Sequence, residues 1–276
     1  MDPRIIEKIK FCKSNSRRIT FLVGAGISAE SGIPTFRGTD GFWVSGSKNY
    51  KAQEIGTFRM FQLASMEVWK WFLYRKSITE FALPNESHIL LSQIEQLIGN
   101  QFSLISQNVD SLHKKAGNTN ERTYLIHGDF DFVRCGDECS SDLYPFPKEI
   151  NLKNRNKNVI TEQEWKSLRC PKCNEDLRPH VLWFDEMYNE EYYKKDSVLK
   201  ISQETELLFV IGTSGATNLP RLIVENTLNN NGTVVEVNID DSYFGQLLKN
   251  EKNGIVINEK SSPFLRVLYQ ELNNWW

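Results

Sequence analysis

Ile19 to Val23 is a short apolar run that ends directly on Gly24-Ala25-Gly26. A strand buried on both faces belongs to a parallel sheet covered by helices, and glycines just beyond it let backbone amides approach a pyrophosphate where a side chain would collide. Three further runs have the same character: Phe102 to Ser106, Leu207 to Ile211 and Val234 to Ile239. Three of the four runs lead straight into polar or glycine-bearing turns. Ligands gather beyond the carboxyl ends of strands in doubly wound sheets, so the expected fold is α/β, a Rossmann-like doubly wound parallel sheet. The glycine turn lacks the third glycine of a full dinucleotide fingerprint, and the downstream turns must complete the argument.

Helices fit between the strands. Met1 to Ser14 carries isoleucines at 5, 6 and 9 among charges, which predicts an amphipathic first helix with Cys12 on its apolar face and no signal peptide. Leu90, Leu91, Ile94, Leu97 and Ile98 recur at helical spacing behind Asn85, a cap, and stop at Gly99. Ser262-Pro263 opens a last helix that continues through Leu265, Leu268 and Leu272. Two insertions interrupt the pattern and give a smaller inserted helical and zinc-binding domain. Residues 39–82 are aromatic and mostly helical, and residues 128–180 surround a Lys/Asn-rich stretch, Lys153 to Asn158, read as a mobile loop. The Rossmann-like part is then 1–38, 83–127 and 181–276 of a single catalytic domain.

The second insertion holds two close cysteine pairs, Cys135-x3-Cys139 and Cys170-x2-Cys173. Each short turn presents two thiolates to one side of an ion, and four thiolates close a structural zinc site with no open position for water. The formal charge of -2 on 276 residues excludes a broad nucleic-acid footprint. No apolar run approaches membrane length, so a cytoplasmic protein with no membrane or nucleic-acid partner is expected.

The pieces taken together resemble the sirtuins, the NAD-dependent protein lysine deacylases. The resemblance is carried by the stretch from Gly24 to Gly38, Gln107-Asn108-Val109-Asp110, His127-Gly128, the two cysteine pairs, Arg178 to Phe184, Gly212-Thr213-Ser214 and Asn238, in family order. It implies NAD as co-substrate and one structural zinc. It also implies that Gly24, Ala25, Gly26, Ser28, Phe36 and Arg37 line the dinucleotide, with Arg37 near the phosphates and Phe36 over the nicotinamide ribose. Gln107, Asn108, Val109 and Asp110 surround the nicotinamide pocket, Asn108 ordering water and ribose. Gly212, Thr213, Ser214 and Asn238 hold the adenosine half. His127 is the implied general base, taking a ribose hydroxyl proton as that hydroxyl captures the acyl group, so that free lysine and O-acyl-ADP-ribose are released. His88, His113 and His180 are read as structural.

Acylated-lysine proteins or peptides are the implied partners. Val181 to Phe184, with Trp183, is an extended segment suited to pairing with a bound peptide. The family usually continues Phe-Gly-Glu, and Asp185 in place of the glycine adds a charge beside the peptide cleft. Sirtuins that remove acidic acyl groups hold the acyl carboxylate with a Tyr-x-x-Arg pair. Here Arg75 matches the arginine and Phe72 stands at the tyrosine position. Deacetylation is the expected activity, with desuccinylation or demalonylation as an alternative. A second alternative, an NAD glycohydrolase or ADP-ribosyltransferase on the same fold, draws on Asp185 and Phe72.

Overall fold

The computed structural model describes residues 1–35, 51–155 and 159–276. Helix α1 (Pro3–Ser14) leads into strand β1 (Arg18–Val23) and a 3₁₀ turn at Ala25–Ser31; α2 (Ala52–Ile55), α3 (Phe58–Glu80) and α4 (Glu86–Ile98) follow. Then come β2 (Phe102–Ser106), α5 (Leu112–Ala116), β3 (Thr123–Leu125), β4 (Gly128–Cys135), β5 (Tyr144–Pro145), α6 (Glu162–Lys166) and β6 (Leu177–Val181). The last third holds α7 (Glu190–Tyr193), α8 (Lys195–Glu204), β7 (Thr205–Ile211), α9 (Asn218–Asn229), β8 (Thr233–Asn238), α10 (Tyr243–Leu248), β9 (Gly254–Asn258) and α11 (Ser261–Asn273).

Six strands form one parallel sheet in the order β3-β2-β1-β7-β8-β9. Strand alternation divides its core in two. Ile19, Phe21 and Val23 of β1, with Leu207, Phe209 and Ile211 of β7, face α1, α4 and α11. Leu22, Leu208 and Val210 face α8, α9 and α10 on the other side. Chain order reverses between β1 and β7, the switch point at which doubly wound sheets open a crevice. The last helix begins one residue earlier than Ser262-Pro263 suggests, and the Ser262 hydroxyl bonds Ser87 (2.8 Å) and Glu30.

Strands β5-β4-β6 make a separate antiparallel sheet. A third apolar core joins it to α2 and α3: Phe61, Trp69 and Phe72 pack with Val133, Leu168 and Leu177. The Trp69 indole donates to Leu177 O at 2.6 Å. Val181, which the sequence grouped with the Rossmann-like part, closes β6 and pairs with Gly128. No described helix is long and apolar enough to cross a membrane.

Candidate active site

A cleft of about 870 Å³ opens over the carboxyl ends of β1, β2, β7 and β8 and continues to the small sheet. Its floor is the meeting of two turns. Gly26 N donates to Gly212 O at 2.8 Å, and a Cβ on Gly26 would lie 2.7 Å from the Gly212 Cα. Gly24 would similarly strike the Thr213 side chain at 2.6 Å. The missing side chains therefore serve first to pack the β1 and β7 turns against each other, which leaves a floor of bare backbone under the cleft. Gly24, Ala25, Gly26, Gly212, Thr213 and Ser214 all line it. Asn238, at the end of β8, also lines it and donates to Thr213 O at 3.1 Å.

Asn108 and Asp110 converge on Ser28 from beyond the end of β2. Ser28 Oγ donates to Asp110 Oδ2 (2.7 Å) and accepts from Asn108 Nδ2 (3.0 Å). Its third partner is His88 Nε2 at 3.3 Å; His88 Nδ1 accepts the Asn85 amide, so Nε2 carries the proton. The serine hydroxyl is thus fully committed. Burial raises the Asp110 carboxyl above its usual range, and the Ser28 donor opposes the shift. Gln107, Asn108 and Val109 line the cleft, and Ser28 links the Asn108 side chain to Asp110. Phe36 and Arg37 lie outside the described residues.

His127 sits half-buried on the same wall, between β3 and β4. Gly128 has φ +91°, and a Cβ there would lie 2.1 Å from His180 O, so the residue after the histidine must be glycine. Nδ1 is 2.8 Å from Gln107 O and Nε2 is 2.8 Å from Tyr188 Oη. Burial pushes the imidazole pKa down to about 4, which keeps the ring neutral and its lone pair available. Gln107 is itself fixed by donating to Thr213 Oγ1 at 2.9 Å.

The far end of the cleft is aromatic. Phe72, Phe130, Val181, Trp183 and Phe184 line it with Arg75, whose guanidinium lies 4.5 Å from the Trp71 ring. Burial lowers the Arg75 pKa to about 9. Arg178 is fully buried, stacks 3.6 Å over Trp183 and pairs with Glu186 (Nη2 to Oε2, 2.7 Å), which also accepts the Trp183 amide. The Leu182 and Phe184 amides donate to His127 O (2.9 Å) and Gly56 O (3.1 Å). A peptide laid along 182–184 therefore meets satisfied donors, and pairing there falls to carbonyls. Asp185 also has a structural role: its carboxylate accepts the Phe58 (2.7 Å) and Arg59 (3.1 Å) amides at the start of α3, so it caps that helix. The motifs include Arg178, the histidine and Glu186, the last residue of the Phe-Gly-Glu pattern, but not Tyr188, which no spacing rule brings to His127.

The four cysteines come together as unbridged thiols, with all sulfurs within 4.8 Å of one another. Cys135 and Cys173 are 3.5 Å apart and Cys139 and Cys170 3.6 Å apart, across the two turns. Tetrahedral zinc with bonds of about 2.3 Å spaces its sulfurs about 3.8 Å apart, so the donor set fits the ion. Gly136, between the turns' ligands, makes room for Phe61: a Cβ there would meet its ring at 2.6 Å. No cysteine is among the described residues lining the cleft.

A doubly wound sheet with a glycine-floored cleft, a histidine on its wall and four clustered thiols able to hold a structural metal away from that cleft marks a nucleotide-using enzyme. The Sir2 family matches residues 24–218. The chain is 35% identical over 247 residues to an NAD-dependent protein deacylase of Leptospira interrogans, covering 88% of this chain and 91% of that protein. It is 38% identical over 242 residues to one of Pyrococcus furiosus, covering 86% and 87%. A solved complex of a Sir2 homologue with NAD superposes with TM-score 0.77 at 27% identity, over 99% of this chain and 94% of the other. This chain belongs to the Sir2 family.

Proposed function

We propose that the chain is an NAD-dependent protein lysine deacylase, acting first on acetyl-lysine in proteins or peptides and yielding nicotinamide, O-acyl-ADP-ribose and free lysine. The observation that carries this reading is His127: a neutral imidazole, oriented by Gln107, on the wall of a cleft floored by the Gly24, Gly26 and Gly212 backbone. Bound NAD would supply a glycosidic bond whose cleavage leaves an electrophilic ribose carbon. The bare turns would take its phosphates, and Asn238 the adenosine ribose. Asn108, held by Ser28 and by Gly24 O at 3.2 Å, would order the ribose and water at the reacting end. Phe72, Phe130, Val109 and Trp183 would sheathe the acyl-lysine and exclude water. His127 would serve as the general base for the ribose hydroxyl. Cys135, Cys139, Cys170 and Cys173 would hold zinc outside this chemistry, and four unbridged thiols suit a reducing compartment such as the cytoplasm.

One observation favours a second acyl class. Arg75 lies on the cleft wall beside Phe72, where its guanidinium would be placed to bond the carboxylate of an acidic acyl chain. Mass spectrometry of the products of NAD with acetyl-, succinyl- and unmodified-lysine peptides tests both. O-acetyl-ADP-ribose as the main product is expected. Faster succinyl transfer, abolished by Arg75→Met while acetyl transfer persists, would move the acidic class to first place. NAD loss that is the same with and without acylated peptide would replace the deacylase with a glycohydrolase.

A further inference from the structure

The two partners of His127 determine where its proton sits. Gln107 offers a carbonyl oxygen, which only accepts, so Nδ1 carries the ring hydrogen. The lone pair is then on Nε2, and the contact at 2.8 Å is a hydrogen bond donated by Tyr188 Oη. An imidazole lone pair takes one such bond in the ring plane. A substrate hydroxyl cannot give its proton to Nε2 directly while the phenol is there. Tyr188 lines the cleft beside His127, at 5.8 Å between ring centroids, and packs edge-on against Tyr193. Burial raises the Tyr188 pKa, and the Thr217 hydroxyl on the same wall opposes the rise.

We propose that Tyr188 is a proton relay between the substrate's ribose hydroxyl and His127. The hydroxyl proton passes to Tyr188 Oη as the Oη proton passes to His127 Nε2; the ribose oxygen forms its bond to the acyl carbon as that carbon's π bond to the lysine nitrogen breaks and the pair moves onto the nitrogen. Tyrosine gains one proton and loses one, and the positive charge ends on the imidazolium. Burial holds the phenol pKa up to about 12, so the oxygen keeps a proton to pass at neutral pH. The relay rests on the deacylase reading above.

Tyr188→Phe tests it with two readouts. In the substrate-free protein, ¹⁵N NMR of His127 should show the Nδ1–H tautomer, and its pKa should rise in the variant, because a hydrogen bond to the neutral ring is lost. In turnover, product formation should fall about 10- to 100-fold. Exchange of labelled nicotinamide into NAD reverses the bond cleavage that precedes the proton transfer, so the ratio of exchange to product should rise on the order of tenfold. Product formation that is unchanged or faster in Tyr188→Phe would make the phenol a plug or a bystander and overturn the relay. Should the variant fail to fold, the wild-type tautomer decides: an Nε2–H ring overturns the relay, and Nδ1–H supports it. Wild-type protein that makes no acyl-ADP-ribose from any acyl-lysine peptide defeats the deacylase reading and the relay with it. Normal wild-type turnover matched by the variant defeats the relay alone.

Discussion

Asp185 shows how a single departure from a family pattern gains a structural role that only its neighbours in space reveal. A carboxylate in place of glycine reads as a new charge beside the peptide, yet it bonds the first two amides of α3, while Thr57 Oγ1 accepts the third, Met60 N, at 3.1 Å. Three donors at the helix start are thus satisfied by two side chains, one of them from the segment that borders the cleft. Asp185→Ala should lower stability by about 1 kcal/mol, a loss of roughly 2 to 4 °C in Tm. Asp185→Asn should recover most of it, since the amide oxygen still accepts. Calorimetry of the three proteins checks this; equal melting temperatures would mean that water replaces the cap without cost. The Asn108 and Asp110 pair was legible because both residues belong to one motif and share one side of the chain. Tyr188 was not, because 61 positions separate it from His127 and only the folded path of the 182–189 segment brings the phenol to Nε2.

Elements were legible in proportion to how completely they are buried in apolar surroundings. Runs such as Phe102 to Ser106, buried at every position, matched their strands to within two residues at each end. The edge strand β9 alternates between buried and exposed positions and was missed, and so was β6, whose Arg178-Pro179-His180 looks nothing like a strand interior. That sequence is tolerated because Arg178 is stacked on Trp183 and paired with Glu186, a compensation visible only in three dimensions. The cysteine turns were legible from spacing, but their role in the helical insertion was not. Cys135 and Cys170 lie in the same apolar core as Phe61, Trp69 and Phe72. Cys170→Ser should therefore lower zinc content and melting temperature together, and it should also loosen α3, seen as faster amide exchange between residues 58 and 80. Unchanged exchange in α3 accompanied by metal loss would show that the apolar core holds the helix without the ion.

At the scale of the whole molecule, histidine burial gives the chain an acid-sensitive stability. It has four histidines; His88, His113 and His180 are almost fully buried and His127 is half-buried. Burial lowers His88, His127 and His180 to about 4 and His113 well below 6.5. An unfolded histidine titrates near 6.5, so between about pH 6.5 and pH 4 the unfolded chain binds protons that the folded chain refuses. The stability these groups contribute is complete above the unfolded value and is lost as pH falls toward the folded one, at up to about 1.4 kcal/mol per pH unit for each fully buried ring. Buried carboxyls act in the opposite sense. Asp110, Asp129 and Glu236 are raised from 3.8 to 4.5 upward, so their contribution is present below those values and lost as pH rises, first at the bottom of the histidine window. Histidines and raised carboxyls therefore pull the slope in opposite directions, and substituting one histidine isolates that ring's share. Urea melts of zinc-loaded wild-type and His88→Gln protein from pH 7 to about 5.5 give the two slopes, with zinc content measured at each pH and constant. Replacing His88 with Gln should remove about one proton from the slope, because the amide can still meet Ser28 and does not titrate. A slope unchanged by His88→Gln would mean that water reaches this ring in the folded protein and that its burial does not hold it neutral.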